Sequence, residues 1–324
     1  MTLLQSINQF VENICVTDRQ ENSIKTSLDN MYGYLEDKDN ELFVDHNFTN
    51  GSYDRDTIIR PLDDIDIFSV LNREDWEDEY KQLPKPQAVL TKFKNYLGGI
   101  SIYEGKVKQD RPCVTIRLSD KNFDIMPSFP VYAGGYLIPN TDLSGWTYAY
   151  PEQLYEQLEA VHRLRDYKVK QVIKAVKQWN RGLDKLIPSY HIEETAIAIF
   201  NYNSFKNYRE GIETWFKLAE YHLVSSKMKK SDDYNTALQK IKAVTKKLDK
   251  AAEKCSNGEE GEAKKIWREV FGKEFPALDP EEAKNFGLAI SEGALKIAST
   301  GGLSLTTGHS ISASAGYHGS VSTY

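Results

Sequence analysis

Only three cysteines occur in 324 residues, at positions 15, 113 and 255. They are too few and too scattered for a disulfide framework or a paired-thiol zinc site, and their odd number fits reduced thiols in a reducing compartment. No stretch approaches the ~20 consecutive apolar residues that cross a bilayer, so no membrane-spanning helix is expected. Residues 1–13 lack a basic segment, an apolar core and a small-residue cleavage site; the cytoplasm is therefore the expected location. An excess of positive charge is missing as well. With 41 Lys and Arg against 47 Asp and Glu the net charge is −6, which argues against direct binding of nucleic acid by long-range attraction. The histidines at 46, 162, 191, 222, 309 and 318 form no HExxH and no pair at metal-ligand spacing, so imidazole-based metal chemistry is not expected.

What remains is an ordinary soluble composition, 40% hydrophobic and 27% charged, in a chain long enough for two domains. Leu3, Leu4, Ile7, Phe10, Val11 and Ile14, then Ile24, Leu28 and Tyr32, recur at helical spacing and predict an opening helix or helix pair over 1–36. Short β-rich runs follow at Leu42 to Val44, Ile65 to Val70, Ile100 to Tyr103, Cys113 to Leu118 and Phe123 to Met126, with one helix near Gln87 to Leu97. Turn formers concentrate in 131–152, and from Pro151 onward the pattern is helical. The expected fold is α+β: a lobe with a mixed sheet over 37–150, packed against a helical bundle over 151–290, with the site in the cleft between them. Residues 291–324 are rich in Ser, Gly and Thr and are expected to form a flexible tail. The tryptophans at 76, 146, 179, 215 and 267 are read as core anchors.

The most informative segment is NGSYDRDTIIRPLDDIDIFSV, residues 50–70. Gly51 and Ser52 offer backbone N–H groups and a hydroxyl where phosphate oxygens can sit. Strand alternation after Pro61 sends Asp64 and Asp66 to one face and Ile65 and Ile67 to the other. Like charges on an apolar strand raise one another's pKa unless a cation intervenes. Asp124, in the apolar run Asn122 to Pro127, supplies a third carboxylate if its strand pairs beside the first. Three oxygen ligands suit Mg²⁺ or Mn²⁺, which retain waters and accept substrate phosphates. A pair of such ions roughly 3.5 to 4 Å apart clamps the attacking and leaving oxygens of an in-line displacement. Asp124, nearest the acceptor hydroxyl, can also assist its deprotonation.

These residues resemble the signature of polymerase-β-like nucleotidyltransferases. More narrowly, GSYDRDTIIRPLDDIDI, FDIMPSF, GGYLIP, VIKAVKQWNR and IPSYHIEE resemble the bacterial CD-NTases, over about residues 10 to 275. Those enzymes resemble cyclic GMP-AMP synthase and oligoadenylate synthase, and make cyclic di- or trinucleotides in anti-phage defence. The resemblance implies that Gly51 and Ser52 cradle the donor triphosphate, that Asp64 and Asp66 hold both metals, and that Asp124 completes the site. It implies further that Lys177 reaches the triphosphate and that Ser189 hydrogen-bonds a phosphate there. NTPs such as ATP or GTP are the implied substrates, with regulatory or effector proteins of a defence operon as partners.

Lys177 also belongs to a stripe with Lys170, Lys174 and Arg181 on one face of a predicted helix, opposite Val169, Val172, Ile173 and Val176. Without a ligand such a stripe reads as a solvated lysine face. Asn140, Thr141 and Tyr103 are candidates to approach a base. Two other readings share these residues: a linear-oligonucleotide or RNA-tailing transferase on the same scaffold, and a non-catalytic nucleotide-binding partner protein.

Overall fold

The computed structural model describes residues 1–276, together with three two-residue strands further along. The chain opens with two helices, α1 (Leu3–Asn13) and α2 (Asp18–Leu35). Thr17 separates them by starting α2 afresh: its hydroxyl accepts from the Gln20 N–H, and the Gln20 side chain accepts from the Thr17 N–H. Then come β1 (Val44–Asn50), a single helical turn α3 (Gly51–Asp54), β2 (Ile65–Leu71), α4 (Arg73–Trp76) and α5 (Pro86–Gly99). The sheet continues with β3 (Val107–Asp110), β4 (Cys113–Arg117), β5 (Asn122–Pro130), β6 (Tyr136–Pro139) and β7 (Trp146–Ala149). Helices α6 (Pro151–Leu164), α7 (Val169–Arg181), α8 (Ser189–Tyr202), α9 (Tyr208–Leu218), α10 (Ser231–Ser256) and α11 (Glu260–Phe271) follow. The last strands are β8 (Lys296–Ile297), β9 (Leu303–Ser304) and β10 (His309–Ser310).

Strand order is β1-β2-β5-β4-β3, with β6 joined to β5 and β7 to β6. Only β2 and β5 run parallel among these seven; the other pairs are antiparallel, so the sheet is mixed. One face carries Ile65, Ile67, Phe123 and Ile125, all fully buried, against Leu28 and Met31 of α2 and Val89, Phe93 and Leu97 of α5. Period-2 alternation thus assigns the apolar face to the core and leaves the acidic positions on the other.

The structure departs from the sequence reading in local ways. Ile100 to Tyr103, expected as a strand, is a 3₁₀ turn: the Tyr103 N–H bonds the Ile100 carbonyl, and the Tyr103 side chain is buried in the core. Residues 131–152 are more than turns, since β6 and β7 pair there across an Asn140–Gly145 turn. The helical pattern that starts at Pro151 is first realised as two helices, interrupted where Asp166 and Tyr167 take positive φ values of 50° and 58°.

Two compact units are distinguished. Residues 14–245 contain the seven-stranded sheet and α2 to α9, so the strand-rich and helical segments expected as separate domains share one unit. Met1–Asn13 and Lys246–Tyr324 form the other, where Phe10, Trp267, Phe271 and Phe275 make a buried aromatic core. Apart from β8 to β10, the Ser/Gly-rich tail at 291–324 lies outside the described residues. No described helix is long and apolar enough to cross a membrane.

Candidate active site

The parallel pairing of β2 with β5 sets Asp66 opposite Asp124, flanked by the pairs Ile65–Phe123 and Ile67–Ile125. Because the isoleucines and Phe123 fill the core, both carboxylates point the other way, into a cavity of about 670 Å³. Asp64 stands one pleat earlier and is more exposed, and its Oδ1 accepts from Asn122 Nδ2 at 2.9 Å. The Thr115 hydroxyl, on β4 opposite Asp124, donates to Asp124 Oδ1 at 2.5 Å.

Burial pushes the Asp66 carboxyl up to about 7, with the charges of Asp124 and Asp64 adding to the rise and those of Arg55 and Lys177 opposing it. Burial also raises Asp124; the Thr115 hydrogen bond pulls it back, and Asp64 pushes it further up. The three charges therefore repel one another, but only Asp66 and Asp124 line the cavity; Asp64 is exposed and lies outside its lining. Among the described residues, however, no three Asp, Glu, His or Cys side chains are already gathered as a ligand cluster. The expected convergence is realised most closely by Asp66 and Asp124, while Asn122 and Thr115 hold Asp64 and Asp124 by their own hydrogen bonds. Mutual repulsion explains why bare carboxylates do not close up further. As a donor set, hard oxygens in a partly desolvated cleft fit Mg²⁺ or Mn²⁺.

Gly51 lies where β1 ends beside Asp66, in register with it through Asn50. Its φ is +71°, and a Cβ at this position would stand 1.9 Å from Asp66 Oδ2. Only glycine admits the carboxylate there. The Ser52 carbonyl accepts from the N–H groups of Thr57 and Ile58 and folds the loop back on itself. No side chain caps the turn that begins at Gly51. Ser52 itself is half-buried beside the cavity wall that Asn50, Gly51 and Arg55 provide.

The cationic stripe of α7 is not solvated. Lys170 pairs with Glu159, Lys174 with Asp56 at 2.7 Å, Lys177 with Glu193 at 2.6 Å and Arg181 with Asp63 at 3.1 Å. Arg181 also donates to the Arg60 carbonyl at 2.6 Å. Lys174, Lys177 and Arg181 therefore fasten α7 to the loop between α3 and β2, and Lys170 ties it to α6. Lys177 does not line the cavity: its ammonium donates to Glu193, to the Thr57 hydroxyl at 2.9 Å and to the Thr57 carbonyl at 3.2 Å. Ser189 is the first residue of α8, half-buried, and its neighbour Tyr190 lines the cavity.

Several lining residues escaped the sequence reading. Arg55, three positions after Ser52, lines the cavity beside Asp66, as do Cys113, Tyr150 and Tyr190. Burial and the charge of Asp124 push the Cys113 thiol well up, so it does not serve as a thiolate nucleophile. Tyr103 is a core residue and Asn140 is occupied in its own turn with Ser144 and Gly145; neither lines the cavity, whereas the half-exposed Tyr150 and Tyr190 do. The adjacency of Tyr190 to Ser189 was the signal available for it. Trp179, Trp215 and Trp267 are buried as expected, while Trp76 and Trp146 are half-buried with their indole N–H groups on the carbonyls of Leu42 and Pro84.

A mixed sheet that presents two aspartates side by side against a glycine turn, with helices closing the cavity, defines a polymerase-β-like nucleotidyltransferase fold. The fold of E. coli MS115-1 CdnC, solved with ATP, superposes with a TM-score of 0.66 at 16% identity, covering 85% of this chain and 99% of that one. The profile of the Second Messenger Oligonucleotide or Dinucleotide Synthetase domain matches residues 1–161. A probable cyclic nucleotide synthase of Bacillus cereus is 27% identical over 85% of this chain and 98% of its own length. A cyclic AMP-AMP-AMP synthase of Acinetobacter sp. is 25% identical over 74% of this chain and 75% of its own. In sequence profile, in relatives and in fold the chain is similar to the CD-NTase family.

Proposed function

We propose that this chain is a metal-dependent nucleotidyltransferase that makes a cyclic di- or trinucleotide second messenger from NTPs, ATP or GTP among them, in bacterial anti-phage defence. The observation that carries the reading is the parallel register of Asp66 and Asp124 around Gly51. The naming of both curated relatives as cyclic nucleotide synthases supports the cyclic product. The cytoplasm, where NTPs are abundant, is the compartment, and regulatory or effector proteins of a defence operon are the partners.

Asp64, Asp66 and Asp124 would hold Mg²⁺ or Mn²⁺ with the substrate phosphates, and the bound ions supply neutralisation of the charge that develops as pyrophosphate leaves. The protein does the positioning. Asp124, held by Thr115, faces the acceptor hydroxyl and takes its proton. Backbone N–H groups of the Gly51–Ser52 turn cradle the donor triphosphate, with Ser189 bonding a phosphate from α8. No protein nucleophile is needed: an acceptor ribose hydroxyl attacks the donor's α-phosphorus in line, and a second transfer closes the ring.

Incubation with labelled NTPs and Mg²⁺, followed by phosphatase and mass spectrometry, tests this directly. A phosphatase-resistant product at the mass of a cyclic oligonucleotide is expected; a product that loses its terminal phosphates and keeps the mass of an oligonucleotide with free hydroxyl ends would point instead to linear synthesis, and label recovered only as nucleoside and phosphate would mean no synthesis. Thr115→Val removes the donor that lowers the Asp124 carboxyl, so kcat is expected to fall about tenfold and the acid limb of the pH–rate profile to move upward. Thr115→Ser restores both, which a simple packing role for the side chain does not explain.

A further inference from the structure

Behind the cavity lies a side-chain cluster that the reaction as described does not use. Glu193 of α8 is 0% exposed, and its carboxylate receives three donors: Arg55 Nε at 2.6 Å, the Thr57 hydroxyl at 2.6 Å and Lys177 Nζ at 2.6 Å. Arg55 and Lys177 are themselves only 6% and 5% exposed. Burial alone would raise the Glu193 carboxyl, but the charges of Lys177 and Arg55 and the bonds from Lys177 and Thr57 outweigh it and hold it below the usual range. It is therefore an anion, and it faces two cations.

Glu193 offsets only one of the two positive charges, and the remainder faces Asp66 across the cavity wall; once Asp66 is engaged elsewhere, a buried unpaired cation costs free energy unless a further anion approaches. The surplus has a direction. Lys177 spends its donors on Glu193 and Thr57, whereas Arg55 commits Nε to Glu193 and lines the cavity next to Asp66. A guanidinium keeps an edge of further N–H donors when Nε is engaged, in the fork that matches phosphate oxygens. The same cluster joins the loop carrying Gly51 to α7 and α8, so the cation's position is fixed from two sides.

We propose that Arg55 is the cationic residue that binds the phosphates of the donor nucleotide, and that Glu193 is its positioning residue, with Lys177 acting through Glu193 and Thr57 instead of touching the triphosphate. This deepens the nucleotidyltransferase reading and rests on it for the identity of the ligand. The Arg55→Gln change leaves Glu193 and Lys177 as a neutral pair, so the fold is expected to tolerate it better than loss of Glu193.

The test is calorimetric titration of the full chain with inorganic tripolyphosphate and, separately, with ATP, both with Mg²⁺, for wild type, Arg55→Gln, Glu193→Gln and the double variant, with melting temperatures in parallel. Arg55→Gln is expected to melt near wild type and to weaken both ligands by about tenfold or more, the worth of a charge-assisted phosphate contact. Glu193→Gln is expected to weaken them similarly, and the double variant no more than the weaker-binding single, because one residue works through the other. If Glu193→Gln does not fold, Arg55→Gln decides alone. Tripolyphosphate binding by Arg55→Gln within about twofold of wild type, or no binding by wild type, overturns the proposal. Pyrophosphate release from NTPs is scored separately: its absence in a wild type that binds tripolyphosphate through Arg55 would sink the transferase reading and leave the phosphate site standing.

Discussion

Replacing Asp64 and Asp66 together by asparagine abolishes pyrophosphate release from NTPs, a loss expected to exceed about a thousandfold, because the ions that would stabilise the leaving charge then have only Asp124 for a ligand. The fold survives the change and in one respect improves. An aspartate whose folded pKa is raised binds its proton more tightly folded than unfolded, so the metal-free protein loses stability as pH climbs from the ordinary value of 3.8 through about 7. Asparagine at 66 carries no such penalty. The Asp66→Asn chain, stripped of metal, is therefore expected to be more stable than wild type at pH 8 by on the order of 2 kcal/mol and to show no gain at pH 4. Thermal melts with chelator at the two pH values check both parts. A variant that keeps turning over, or that gains equally at pH 4, contradicts the electrostatic description of the cleft.

Gly51→Ala is expected to be nearly as damaging to turnover, though it touches no charge. The added methyl would stand 1.9 Å from Asp66 Oδ2 in a backbone at φ +71°, so either the carboxylate or the turn must move. The left-handed conformation alone costs an alanine roughly 1 to 2 kcal/mol, and the collision displaces a carboxylate proposed to hold the metal; a loss of about a hundredfold or more in kcat/KM is expected, since small misplacements of reacting groups are that costly. Gly33→Ala is the control. Gly33 lies inside α2 with nothing within 4 Å of the place a methyl would take, so alanine there is expected to leave activity alone and stabilise by up to about 1 kcal/mol. Steady-state rates of the two variants side by side separate a general glycine effect from the specific contact at Asp66.

The parts of the site that are legible in the sequence are those written in strand alternation. Ile65-Asp66-Ile67 and Phe123-Asp124-Ile125 each state which side of the strand is apolar, and once two such strands are neighbours the carboxylates meet without further information. The opening helical segment is legible for a similar reason, since Leu3, Ile7, Phe10, Ile24 and Leu28 recur at helical spacing, while its division into two helices rests on the capping box of Thr17 and Gln20. What the sequence does not disclose depends on partners distant along the chain. The α7 stripe of Lys170, Lys174, Lys177 and Arg181 looks like a solvated face by periodicity; its burial follows from Glu159, Asp56, Glu193 and Asp63, which no local window contains. The 3₁₀ turn at Ser101–Tyr103 reads as a strand because a short apolar run has no period of its own. Strands β6 and β7 are hidden among the turn formers of 131–152, where pairing across one hairpin outweighs composition.

The central claim, that two strands from distant parts of the sequence share one site for divalent ions, is tested most directly by titrating the full chain with Mn²⁺ beside a non-hydrolysable ATP analogue and counting bound ions by electron paramagnetic resonance. Wild type is expected to bind a pair of ions per chain, and Asp66→Asn with Asp124→Asn to bind none beyond those carried by the nucleotide in solution. Unchanged binding by that double variant would contradict the claim.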